Sequence, residues 1–146
     1  LPTFNNTSNR VILPNLTLLQ LNIIGDMTTE NKKMGKLSSV MSLLNTCKTP
    51  MGRRLFQYYL TTPTFDESWL TNEYTQIEMM LDREHYTMVE SFRQLLAKIK
   101  DMDKMNRQIV VRAIHPSSIY SLYNSLIHTQ QMNVCLYEDN EINKYL

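Results

Sequence analysis

Glycine is scarce in this chain: Gly25, Gly35 and Gly52 are the three among 146 residues. No GxxxxGK loop and no GxGxxG turn runs through them, and these are the devices by which a backbone closes around phosphates. The chain is therefore not expected to hydrolyse nucleotides by itself. An excess of one charge is missing too. Lys and Arg number 15 against 14 Asp and Glu, a net charge of +1, without the basic surplus of modules that track a phosphate backbone. Long apolar runs are absent, because Asn22 and Asp26 interrupt the one that Leu16 to Leu21 begins. Nothing approaches the ~20 residues that cross a bilayer, so a soluble chain with no membrane partner is expected. Leu1 is not an initiator Met, and no basic segment leads into an apolar one, so no secretory signal is read. Cysteine occurs at Cys47 and Cys135, far apart and without metal-type spacing, which predicts a reduced intracellular pair. The N-x-S/T triplets at Asn5, Asn6 and Asn15 matter only in a secreted protein and are read as chance.

What the chain does have is helical period. Its 17.2 kDa and 42% hydrophobic residues suit one compact domain with one core. Residues 1–14 read as an irregular leader, 15–133 as the helical domain and 134–146 as a tail. Leu16, Leu18, Leu19, Leu21, Ile23 and Ile24 fit either a buried strand or the start of a buried helix, which periodicity does not separate over that length. A polar loop over Asp26 to Lys36 is expected next. Leu37, Val40, Met41 and Leu44 then lie on one helical face, ending near Asn45. Thr49-Pro50 is a start signal, since the Thr oxygen can accept from an orphan amide and Pro at the first helical position loses no needed donor. Leu55, Tyr58 and Tyr59 are expected to face inward, and Pro63 to stop that helix. Thr64-Phe65-Asp66-Glu67 has the form of a capping box, opening a helix with Leu70, Tyr74, Ile77 and Leu81 on one face, and Asp82 to His85 breaks it. Val89, Phe92, Leu96 and Ile99, then Met102, Met105 and Ile109, make stripes on either side of a charged corner at Lys98 to Lys100. Pro116 excludes a continuous helix, and Ser117 is expected to cap a last one carrying Ile119, Leu122 and Leu126. Ten Met predict a plastic core. With no repeat and no strand alternation, the class is mainly α, a compact multi-helix bundle that leaves room for one short N-terminal strand.

The reactive side chains assemble no convincing chemistry. His85, His115 and His128 have no spacing that builds a closed metal site. Cys47 carries no local signature of an activated nucleophile and is expected to be a buried structural thiol. Asp101 and Asp103, like Glu138, Asp139 and Glu141, read as solvated charge. No catalytic, cofactor-binding or metal-binding residue is assigned. Arg53 and Arg54, next to Gly52, either bridge to a neighbouring domain's carboxylates or lie on an ordinary helix surface. Nucleic-acid contact is the weaker reading, because no basic stripe with interleaved aromatics extends from them. Gly52 inside a helix costs about 1 kcal/mol relative to Ala, which a close approach by another helix would explain.

Leu43-Leu44-Asn45-Thr46-Cys47-Lys48-Thr49-Pro50-Met51-Gly52-Arg53-Arg54-Leu55, followed by Tyr59-Leu60 and Pro63, resembles the start of the core or lever domain of the MutS mismatch-repair family, most of all its eukaryotic branch. Thr49, Pro50, Gly52, Arg54, Leu55 and Pro63 fall on the family pattern, and Tyr59 replaces its usual Trp. Ile77-Glu78 resembles the family's Val-Glu, and Asp101-Met102-Asp103-Lys104 with Arg107 resembles its Pro-Asp-Leu-Glu-Arg-Leu segment. Thr17-Leu18 and Leu21 resemble the strand that opens this domain. Glu73 departs from a usual Arg, and Asn22 from a frequent Glu. Phe65-Asp66-Glu67 spells the family's mismatch-reading Phe-x-Glu but lies at a helix start in the wrong domain, and is assigned to capping.

The resemblance covers about Leu16 to Leu126. It implies a non-catalytic helical lever within a DNA-dependent ATPase that binds mismatched double-stranded DNA as a homo- or heterodimer. ATP and Mg would serve the parent and not this fragment, whose partners would be the other MutS domains. The location implied is intracellular, the nucleus first, with organelle or viral compartments as alternatives. A free-standing helical module that binds a partner helix is the competing reading. A small hydrolase built on Cys47 and a histidine is the third.

Overall fold

The computed structural model describes residues 9–25 and 35–138. Among them the protein is mainly helical and contains no strand, only an isolated antiparallel bridge between Arg10 and Thr64. Their helices are α1 (Asn15–Gln20), α2 (Val40–Leu44), α3 (Pro50–Thr61), α4 (Glu67–Leu81), α5 (Tyr86–Lys98), α6 (Met102–Val110) and α7 (Pro116–Glu138). Short 3-10 turns, Gly35–Ser38 and Arg83–His85, precede α2 and α5. None of these helices is long and apolar enough to cross a membrane.

Two compact units form where the length suggested one core: Leu1–Thr46 with Arg54–Glu73, and Cys47–Arg53 with Tyr74–Leu146. Among the described residues the buried apolar side chains are Leu18 in the first unit and Ile99 and Met105 in the second, so each unit closes around few groups.

In the first unit the apolar run after Pro14 is helix and not strand. Leu18 is buried while Leu16, Leu19 and Leu21 stay exposed, a one-sided pattern that a helix produces. Asn22 ends α1 with φ 53. The Asn22 amide donates to Leu19 O at 2.9 Å and the Ile23 amide to Leu18 O at 2.9 Å, a Schellman ending without glycine. Asn tolerates that left-handed backbone better than most residues other than glycine. Val40 N then donates to Asn22 O at 2.9 Å and Met41 N to Ile23 O at 3.0 Å, tying α2 to the end of α1. The expected loop over 26–36 lies outside the described residues except for Gly35 and Lys36, which open a 3-10 turn. The helix expected over 37–44 is split at Ser39, a buried, extended residue whose Oγ accepts from Ser42 N at 3.1 Å as the cap of α2.

The turn after α3 departs from the capping-box expectation. Asp66 caps α4, its Oδ1 accepting from Trp69 N at 3.0 Å, while Thr64 Oγ1 accepts from Asp66 N at 3.2 Å. A carboxylate two residues nearer the helix outcompetes the more distant hydroxyl. The Trp69 amide first, and the Asn9 side chain second, hold the Asp66 carboxyl below the usual carboxylate range. Residues 1–8 of the expected leader lie outside the described residues, but Asn9 to Val11 are paired with this turn. The inward reading of α3 also fails: Leu55, Tyr58 and Tyr59 are 51%, 49% and 39% exposed. Tyr58 and Tyr59 serve Arg10 instead, and no described residue covers Leu55.

In the second unit α5 packs on α7. Ile99 ends α5 and Asp101 opens α6, its Oδ1 accepting from Lys104 N at 3.1 Å. Arg112, at φ 57, ends α6 with the second Schellman motif: Arg112 N to Ile109 O and Ala113 N to Gln108 O, both 2.9 Å. Pro116 takes the first position of α7, so the expected Ser117 cap is displaced. The His115 ring takes that role, its Nδ1 accepting from Ser117 N at 3.3 Å. The helix continues through 134–138, the first part of the expected tail, and 139–146 lie outside the described residues. Tyr74, Ile77 and Leu81, placed on one face of α4 by their spacing, are exposed.

Candidate functional site

The block from Cys47 to Arg53 folds back on itself. Thr49 is buried, and its Oγ1 accepts from Gly52 N at 3.0 Å. Pro50 begins α3 without wasting a donor, and Arg53 N continues the turn to Thr49 O at 3.1 Å. A Cβ on Gly52 would stand 2.9 Å from Thr49 Oγ1, 3.5 Å from Cys47 Cβ and 3.8 Å from its Sγ. The close approach at Gly52 is therefore made by its own turn, and not by the neighbouring helix that the sequence suggested. Arg53 completes the fold-back, its Nε donating to Cys47 O at 3.1 Å. Arg54 and Leu55 are exposed on α3, and Pro63 lies in the turn beyond it, its carbonyl accepting from Val11 N at 2.8 Å.

Lys48 and Pro50 also wall a cleft of about 470 Å³ in the second unit. It is lined by the apolar Pro50, Ala97, Ile99 and Met105, by Lys48, Lys100, Lys104 and Asp101, and by Ser118 and Ser121 from the start of α7. The lining thus mixes apolar groups with three cations and one carboxylate. His115 Nδ1 sits 2.8 Å from Ser117 Oγ, and His128 Nδ1 3.1 Å from Gln131 Oε1, while His85 is buried before α5. Cys47 and Cys135 are both thiols, and among the described residues no three of His, Cys, Asp and Glu come together as a metal ion requires.

Ser125 is a structural centre that the sequence reading passed over. Fully buried on α7, its Oγ accepts from Lys100 N at 3.1 Å and donates to Ser121 O at 2.8 Å. Ser121 Oγ donates to Ser117 O at 3.0 Å and Thr129 Oγ1 to Ser125 O at 2.9 Å, a ladder of short hydroxyl side chains every fourth residue. That period was readable in the chain, and it marks the strip of a helix where a neighbour can come close.

Comparison with known proteins gives this architecture a family. The family model for MutS domain III matches residues 16–145, and the chain belongs to that family. The DNA mismatch repair protein MutS of Borrelia turicatae (strain 91E135) is 28% identical over 101 residues, 69% of this chain and 11% of that protein. MutS of Borrelia hermsii (strain HS1 / DAH) is 24% identical over 123 residues, 84% of this chain and 14% of that protein. MutS of Chlamydia abortus (strain DSM 27085 / S26/3) is 27% identical over 100 residues, 68% of this chain and 12% of that protein. The matched regions thus span 11% to 14% of these curated relatives. No solved structure matches the chain.

Proposed function

We propose that this chain is the non-catalytic helical lever of a larger MutS-like mismatch-repair ATPase, carrying conformational change between a DNA-binding end and a distant nucleotide site. The match to MutS domain III over residues 16–145 carries this reading. Packed helices suit the task, because rigid elements with two discrete arrangements transmit a bias over tens of ångströms. The apolar faces left open on α4 and α7, Tyr74, Ile77 and Leu81 on one and Ile119 and Tyr123 on the other, support a role inside a larger assembly. The parent would act as a homo- or heterodimer on mismatched duplex DNA, with nuclear DNA as its setting.

ATP and Mg would belong to another part of the parent, since the glycines here stand singly and form no phosphate loop. Sequencing the coding region around it comes first: a GxxxxGK[ST] loop downstream supports the lever, and its absence favours a free-standing helix-binding module. In the full-length protein, Gly52→Ala and Arg54→Ala should weaken the coupling between ATP and mismatched-DNA affinities. Coupling that survives both changes intact would overturn the lever.

A further inference from the structure

Three residues ahead of α1 are strung across the turn between α3 and α4. Val11 N donates to Pro63 O at 2.8 Å, and Phe65 N donates to Asn9 O at 3.1 Å. Thr64 Oγ1 also donates to Asn9 O, at 2.9 Å, and Asn9 Nδ2 donates to Asp66 Oδ2 at 3.1 Å. Between these ties Arg10 reaches over the end of α3, its Nη1 donating to Thr62 O at 3.0 Å. Its guanidinium carbon lies 5.1 Å from the ring centre of Tyr58, 4.8 Å from Tyr59 and 5.6 Å from Trp69. The rings brace one another: Tyr59 meets Trp69 edge-on at 5.6 Å and Tyr58 at 5.9 Å. A single guanidinium rarely finds three aromatic faces within about 6 Å.

From this geometry we infer that Tyr58, Tyr59 and Trp69 form a guanidinium-binding tray, and that Arg10 is its built-in ligand, clasping the incoming chain to the α3–α4 turn. The tray comes from two helices joined by a short turn, so it persists when the arginine leaves. The clasp is releasable. Among the described residues these ties run through Asn9, Arg10 and Val11, and the neighbouring Val11 and Ile12 side chains are exposed, so opening them uncovers little apolar surface of that strap. An alkylguanidinium therefore fits the emptied tray better than an alkylammonium, because the flat, weakly hydrated guanidinium stacks on rings while its N–H groups still reach a carbonyl. The closed clasp holds Asn9 to Val11 against the α3–α4 turn, and the open one frees them.

Trp69 is the one tryptophan of the chain, so its emission reports the tray directly. In Arg10→Ala the Trp69 emission should shift to longer wavelength with the helical circular dichroism unchanged. Titration with N-acetylarginine amide should reverse the shift saturably in the millimolar range, about tenfold more effectively than N-acetyllysine amide. The wild type, its tray filled, should not respond. An Arg10→Ala spectrum identical to wild type, a shift that arginine amide does not reverse, or equal rescue by the lysine compound would each overturn the inference. Tyr59→Leu keeps Arg10 and removes one ring. Hydrogen exchange at the Val11 and Phe65 amides should then quicken about tenfold, and unchanged protection in this variant would defeat the clasp even if Arg10→Ala failed to fold.

Discussion

Replacing Gly52 by Ala probes the Thr49 cap from inside its own turn. In a helix, Ala is favoured over Gly by about 1 kcal/mol. Here the new methyl would stand 2.9 Å from Thr49 Oγ1 and 3.5 Å from Cys47 Cβ, so the hydroxyl that accepts from the Gly52 amide has to rotate away. Losing such a cap costs about 1 kcal/mol, and turning a buried side chain off its rotamer about 1 kcal/mol more. These outweigh the propensity gain, so Gly52→Ala should destabilise by about 1 kcal/mol. Thr49→Ala alone should also cost about 1 kcal/mol. With the oxygen already gone, the same Gly52→Ala change should stabilise by about 1 kcal/mol. The effect reverses sign between backgrounds, a coupling of about 2 kcal/mol in a double-mutant cycle. Urea unfolding followed by far-ultraviolet circular dichroism on the wild type, the single variants and the double variant measures it. If Gly52→Ala stabilises both backgrounds equally, the proposed collision with Thr49 is wrong.

Further outcomes follow from the same geometry. Ser125→Ala strips the part-buried Lys100 amide of its acceptor and should cost about 1 kcal/mol in urea unfolding, with hydrogen exchange at that amide accelerated; unaltered exchange would refute the assignment. Arg112→Gly relieves a left-handed backbone on a non-glycine residue and should raise stability by about 1 kcal/mol, whereas a loss would mean that the arginine side chain matters more than its φ. The Asp66 carboxyl, held low by the Trp69 amide and then by Asn9, contributes stability that is present above its unfolded value of about 4. That contribution disappears as pH falls through the lower folded value. Acid titrations of wild type and Asp66→Asn should therefore converge as the pH drops below that window, and curves that separate further in acid would contradict the cap.

Helix starts were the most legible part of the fold. Thr49-Pro50 opens α3 as read, because a capping oxygen and a proline act on neighbouring residues and leave a local pattern. The Thr64 box misled because two oxygens, Thr64 and Asp66, compete within one turn, and only the folded backbone chooses between them. Periodicity located the apolar faces of α3 and α4 but carries no information about what covers them, so Leu55 was expected inward and lies outward. The Cys47 to Arg53 block was visible as a motif. The cleft beside it was not, because it gathers Lys48 with residues from Ala97 to Ser121. The pairing of Arg10 with Trp69 crosses the first unit with no repeating signal in between. Ser125 was hidden for a different reason: a serine among leucines looks like an interruption until the four-residue ladder is traced.

The backbone ties from Val40 and Met41 to Asn22 and Ile23 bear on how this domain tolerates change in length. They hold the two ends of the intervening segment independently of how many residues join them. Closing a longer segment costs only about 0.6 kcal/mol for each doubling. An inserted peptide, protease site or fluorescent label that leaves both ties in place therefore costs little. The same insertion between Thr49 and Gly52 would separate Cys47 and Thr49 from the glycine they enclose.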